Sequence, residues 1–322
     1  MKIRYDPVPW LLVQEGLPSV RARRRLGLDC DGDAAFVRAL VADLEGEQKG
    51  NGSFAGSPMR TAGTLILLAD LRAQGAEDLR AQGIEDVVER GAAYLFSVLA
   101  GQPGYGREDD ISPGSLTTPC DLGGFFGPYE ERNDPQVRAF GAREMNHYRE
   151  FEPLLGPKSP VRETPRSSRD RAGPSSCYAW GLIPLSYIFE ALCRAGYAED
   201  ERLQPALRVL LGVQRESGGW CRNLGGHIGC SPHPMRALGA HPALRSSLYA
   251  ERALRFLLAN WRARDPYAVL HVATAYDLPA AHELVREVLA YISPRQRKNG
   301  TFGAPHRIER VAAVLDGHAL LA

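Results

Sequence analysis

Gln48-Lys-Gly-Asn-Gly52-Ser-Phe54 recurs as Gln214-Arg-Glu-Ser-Gly218-Gly-Trp220 and again as Gln296-Arg-Lys-Asn-Gly300-Thr-Phe302. All three read Gln-x3-Gly-x-aromatic, and a phrase repeated at one spacing marks a repeat architecture. Two degenerate relatives lie between them: Gln102-Pro-Gly-Tyr105, followed by Gly123-Gly-Phe125, and Trp261-Arg-Ala-Arg-Asp-Pro-Tyr267. The glycine permits a tight turn, the aromatic wedges between neighbours, and the glutamine bonds carbonyls that the turn would otherwise orphan. The phrase therefore reads as a structural pin.

Working outward, each pin sits between two helical patterns. Residues 34–47, 84–101, 203–213, 248–260 and 280–292 precede the pins, with apolar residues at i, i+3, i+4 and i+7 and charges opposite. Residues 61–71, 178–192, 235–238, 269–278 and 308–321 follow them and are richer in apolar and small residues, as helices buried on most sides are. The expectation is an all-α chain forming one domain over 1–322. It would hold about five hairpins in an inner and an outer ring, an α/α toroid. Residues 102–174, rich in Gly, Pro, Arg and Glu, interrupt the repeat as a long irregular insertion and lid candidate.

Composition narrows the function classes. The 322 residues carry 39 basic and 38 acidic side chains for a net charge of +1. That balance gives no reason to expect nucleic-acid binding or a polybasic membrane segment. Lysine occurs only at Lys2, Lys49, Lys158 and Lys298, so the basic residues are nearly all arginine. The N-terminal Met1-Lys-Ile-Arg-Tyr-Asp-Pro shows no apolar run of signal-peptide length, and no stretch approaches the roughly 18 uncharged apolar residues of a spanning helix. Six cysteines are too sparse for a disulfide scaffold. These features lead to the expectation of a cytoplasmic protein with reduced thiols and no transmembrane segment; oligomeric state is not legible.

The pin resembles the QW motif of the squalene–hopene cyclase, terpene cyclase and protein prenyltransferase β-subunit superfamily, over nearly the whole chain from about residue 34. The opening Pro9-Trp-Leu-Leu and Pro18-Ser-Val-Arg, with Leu67-Leu-Leu-Ala-Asp-Leu, also resembles small bacterial proteins of the prenyltransferase and squalene oxidase repeat group. The resemblance implies a toroid whose central cavity takes an isoprenoid or other apolar molecule. Tyr178, Trp180 and Tyr276 are the cavity aromatics it points to.

In such a ring the segments after each pin converge on one rim: Arg60-Thr61, Ser175-Ser-Cys177, the run from Cys221 through Cys230-Ser-Pro-His233, His271 and His306. Cys120, Cys177, Cys221, Cys230 and His233 offer the thiolate and imidazole ligands zinc prefers, so Zn2+ is the expected cofactor. Free packed thiols, or a Cys221–Cys230 disulfide, are the alternatives. Cys230 holds the place of the prenyltransferase zinc cysteine, but the family's aspartate two residues earlier is Ile228, and after Asp265-Pro-Tyr267 the histidine comes one turn later, as His271.

Class II cyclases protonate an alkene with an Asp-x-Asp-Asp acid. The nearest match, Asp29-Cys-Asp31-Gly-Asp33, has glycine in the third aspartate's place and reads as a helix cap. Asp109 and Asp110, nearer the rim, are the acid candidates, together with His271 as a catalytic residue. Arg60, Arg162, Arg166, Arg169 and Arg171 are the candidates for a carboxylate or diphosphate head group, because guanidinium binds such groups in bidentate fashion. The leading expectation is a terpene cyclase- or prenyltransferase-like enzyme. A non-catalytic toroid with a structural zinc is the alternative, and lanthionine-cyclase-like thiol alkylation, suggested by Trp220-Cys221, the third.

Overall fold

The structure, a computed structural model, describes residues 5–28, 30–73, 83–100, 182–220, 231–303 and 305–318. The described residues are helical, without a β-strand. In chain order the helices are α1 Val8–Leu12, α2 Leu17–Arg25, α3 Asp33–Glu47, α4 Pro58–Ala73, α5 Ile84–Ala100 and α6 Leu182–Leu192. They continue as α7 Gln204–Gly212, α8 Pro232–Ala240, α9 Leu248–Asn260, α10 Pro266–Ala273, α11 Pro279–Ile292 and α12 Pro305–His318.

The two expected classes of helix separate by burial. Helices α3, α5, α7, α9 and α11 bury one apolar stripe, for example Val37, Val41 and Leu44 of α3. The even-numbered helices are enclosed on most sides: every residue of α6 is buried, and α4 exposes little beyond its ends. One apolar core runs through both sets, from Leu11 to Val314.

Neighbours follow the repeat. Helix α4 packs on α6, α6 on α8, α8 on α10 and α10 on α12. Helices α5, α7, α9 and α11 each back the even helix that precedes them. The described N-terminal residues add a sixth pair to the five expected: short α1 backs α2, and α2 packs against α12 at the far end of the chain. Arg21 of α2 ion-pairs with Asp70 of α4, which links the sixth pair to the first repeat.

The three pins have one geometry. Gln48, Gln214 and Gln296 each donate Nε2 to the carbonyl of their own pin glycine, at 3.0, 3.0 and 2.9 Å. Each also donates to a carbonyl of the neighbouring pair, Val87 at 2.9 Å, Tyr249 at 3.0 Å and Tyr5 at 2.7 Å. Gly52 and Gly218 have φ near +83° and +91°, and a Cβ there would sit 2.1 Å from the backbone oxygens of Arg90 and Arg252. Only glycine satisfies both the left-handed turn and that approach. Phe54 and Trp220 are fully buried, and their N–H groups donate to Thr61 Oγ1 and Ser231 Oγ at 3.0 Å. The tight-turn and carbonyl-bonding roles expected of the phrase are present, and its aromatics are buried.

Candidate functional site: a buried charge network

Charged side chains stand in the middle of the most buried helices. Arg21 in α2, Asp70 in α4, Glu190 in α6, Arg236 in α8, and Glu309 and Arg310 in α12 are all buried. Arg194 joins them, partly buried, from the single π-helical turn Cys193–Tyr197 that ends α6.

These groups form an alternating chain. Glu309 meets Arg21 at 3.0 Å, and the other end of the Arg21 guanidinium pairs with Asp70. The second oxygen of Asp70 accepts from Arg194 at 2.8 Å, Arg194 reaches Glu190 at 2.9 Å, and Glu190 also accepts from Arg236 at 2.8 Å. The chain thus crosses α12, α2, α4, α6 and α8. Burial by itself would raise the Asp70 carboxyl, but Arg194, Arg21, Arg25 and Arg310 outweigh it and hold the group below its ordinary value. Removing one member would leave a buried charge without its partner, which costs about 3–5 kcal/mol.

Helix α10 contributes His271. Arg310 Nη1 hydrogen-bonds His271 Nδ1. Guanidinium has no acceptor, so Nδ1 accepts, the imidazole is neutral, and its proton lies on Nε2. Burial, reinforced by Arg310, Arg236, Arg194 and Arg21, drives His271 far below the usual histidine range. Burial also lowers the Arg310 guanidinium to about 9; Glu309 opposes this, while Arg21 and Arg236 add to it.

The remaining sites expected from sequence fall as follows. Arg60 bonds Glu47 at 2.8 Å, between the start of α4 and the end of α3, away from the chain of buried charges. Tyr276 is buried and its hydroxyl donates to the Met235 carbonyl, so it fastens the segment that follows α10 to α8. His233 sits in the first turn of α8, lowered to about 3 by burial and then by Arg236 and Arg264. It is a neutral imidazole at neutral pH. Asp33 begins α3 and, instead of capping it, holds Arg23 at 2.5 and 2.8 Å. Asp109, Asp110, Cys120, Arg162, Arg166, Arg169, Arg171, Cys177, Tyr178, Trp180, Cys221 and Cys230, with the insertion 102–174, lie outside the described residues.

Among the described residues no three His, Cys, Asp or Glu side chains are grouped to hold a metal, and no helix is long and apolar enough to cross a membrane. Cys30 and Cys193 are unpaired thiols, and burial raises that of Cys193. The sequence reading looked to the rim after the pins and missed Arg21, Asp70, Glu190, Arg194, Arg236, Glu309 and Arg310. For Asp70 and Glu190 a signal was present: single charges inside the otherwise apolar stretches Leu67-Leu-Leu-Ala-Asp70-Leu and Tyr187-Ile-Phe-Glu190-Ala-Leu.

The chain matches no family model, no curated protein and no solved structure.

Proposed function

We propose that the six helix pairs close into an α/α toroid, and that the protein is a terpene cyclase- or prenyltransferase-like enzyme acting on an isoprenoid or similar apolar molecule. The observation that carries this reading is the pin repeated with one geometry at Gln48, Gln214 and Gln296, the last receiving the N-terminal pair. Support for closure comes from α12 packing on α2 and from the Arg21–Asp70 pair. In this reading the even helices form the inner ring. The insertion arginines Arg162, Arg166, Arg169 and Arg171, with Arg60 at the edge, take the anionic head group. Asp109, Asp110 and His271 stand as the acid–base groups, and Tyr178, Trp180 and Tyr276 as the cavity aromatics.

Cys120, Cys177, Cys221, Cys230 and His233 would hold a zinc ion. Neutral His233 suits a ligand, since imidazole binds metal in that form. Zinc closed by four protein ligands would be structural, and an open fourth position would supply Lewis acidity.

A second reading, a non-catalytic ring that binds a small molecule, is favoured by the charge network. It occupies inner-ring side chains with one another, as a scaffold's would be. Both readings meet one experiment: the purified chain is incubated with a panel of prenyl diphosphates and squalene, and product and binding are measured. Turnover supports the enzyme, and binding without turnover supports the scaffold. Neither binding nor turnover defeats the isoprenoid reading, and elemental analysis showing no zinc defeats the metal site.

A further inference from the structure

The pins at Gln48 and Gln296 share a geometry but stand in surfaces of opposite charge. Gln48 donates to the Val87 carbonyl and accepts from Arg90, which sets the end of α3 beside the start of α5. On these helices and their pin the exposed acids Asp43, Glu45, Glu47, Glu85, Asp86 and Glu89 outnumber the exposed bases Arg38, Lys49 and Arg90. Arg60 and Arg72 pair with Glu47 and Glu85, while Glu45, Asp86 and Glu89 form no ion pair among the described residues. On α9, α11 and the Gln296 pin the balance reverses. Arg252, Arg255, Arg286, Arg295, Arg297 and Lys298 are exposed there, with Glu283 the exposed acid among the described residues. The less exposed Glu251 and Glu287 are engaged by Arg255 and Arg262. Both surfaces also expose large apolar side chains, Phe36 on α3 and Leu248, Tyr249 and Tyr291 on α9 and α11. Tyr291 meets Trp261 edge-on at 5.3 Å and carries the Arg295 guanidinium 3.7 Å from its ring centre. Short α1 stands between the two surfaces. Gln296 ties its approach to the end of α11, and Arg23, bonded to the Leu11 and Gln14 carbonyls and to Asp33, ties its end to α3.

We infer that these are the two halves of one interface: the α3–α5 surface of one copy of the chain docks on the α9–α11 surface of a second copy, head to tail. The argument is complementarity of charge within a chain whose net charge is only +1. Acids on one surface meet arginines on the other, and the apolar side chains on both supply the contact that charge pairs alone do not. Aromatic and arginine side chains such as Tyr291 and Arg295 are the types that carry binding energy at interfaces. A two-fold pairing of either surface with itself would set like charges against like, which is unfavourable. A nucleic acid or an anionic membrane would engage only the basic surface and leave Phe36 and the acids exposed. Because the two halves lie on different helices, each docking leaves one half of each kind free, and further copies can add. The interface does not rest on the isoprenoid reading, since it involves the outward faces of the odd-numbered helices.

The test is sedimentation velocity of the full chain over a range of concentrations. At about 20 mM sodium chloride the weight-average mass is expected to rise with concentration past that of a dimer, and at about 500 mM to return toward the monomer. Two double variants separate the halves: Glu45→Lys with Glu89→Lys removes the acidic half, and Arg286→Glu with Arg297→Glu the basic half. All four side chains are exposed and without an ion pair among the described residues, so the fold tolerates the changes. Each double variant alone is expected to stay monomeric. Mixed in equal amounts they retain one intact half each, and a dimer that grows no further is the expected product. If either double variant fails to fold, Tyr291→Ala still decides, with association expected to weaken about tenfold. A wild-type chain that stays monomeric at low salt overturns the inference. So does a dimer that neither grows nor responds to the variants, a mixture that does not associate, or association that Tyr291→Ala leaves unweakened. Vesicles of phosphatidylcholine with one-third phosphatidylserine provide the last arm: vesicle binding by a chain that does not self-associate would assign the basic surface to a membrane instead.

Discussion

Gly52 and Gly46 are six residues apart and answer to different physics. Gly52 has φ +83° with the Arg90 carbonyl where a Cβ would go, whereas Gly46 lies within α3 with open space around it. Gly52→Ala is expected to lower stability by at least about 2 kcal/mol in urea denaturation, through backbone strain and a contact that cannot relax. Gly46→Ala is expected to raise it by about 0.5–1 kcal/mol, because alanine is the better helix former. The pin glycines were legible because three copies showed their spacing. The charged residues of the network occur once each, and a lone Asp70 or Glu190 reads the same whether its partner is water or an arginine. What distinguishes these two is the apolar character of their neighbours in sequence, which implies a buried partner without naming it.

At the scale of elements, the pin at Gln296 does a task the other two do not. Gln48 and Gln214 bond the second helix along the chain, α5 and α9, but Gln296 both donates to the Tyr5 carbonyl and accepts from the Tyr5 amide, 291 positions away. Gln296→Leu leaves these groups and the Gly300 carbonyl without partners. The expected cost is about 2–3 kcal/mol, with faster hydrogen exchange at residues 5–12. The same exchange rate as wild type would show that α1 and α2 are held by packing alone. The sequence reading expected ten helices and placed several closely: residues 34–47, 84–101, 248–260 and 280–292 correspond to Asp33–Glu47, Ile84–Ala100, Leu248–Asn260 and Pro279–Ile292, whereas 269–278 lies against Pro266–Ala273. It missed the N-terminal pair because α1 has five residues and α2 carries four arginines. Neither shows the apolar period that identified the rest.

For the whole molecule, the half-buried His233 and His271 shape the response to acid. His233 and His271 have folded values below their ordinary 6.5, so below that pH the unfolded chain binds more protons than the folded one. Stability is therefore full above about pH 6.5 and falls as the pH drops, each histidine adding about 1.4 kcal/mol per pH unit. Asp70, also lowered, adds a further loss as the pH falls below its ordinary 3.8 and through its folded value. Urea titrations between pH 7 and 4 are expected to show this slope, and His233→Gln to make it shallower by one group's share. An unchanged slope would mean that His233 is solvated.

Helix order, helix ends and the chemistry of the pin follow from local pattern, because periodicity, glycine turns and capping act within a few residues of one another. The charge network does not. Arg21 and Asp70 lie 49 positions apart, and Asp70 and Arg194 lie 124 apart. Which charge meets which depends on the order in which the buried helices pack. Only the packed structure brings Arg310 and His271 together.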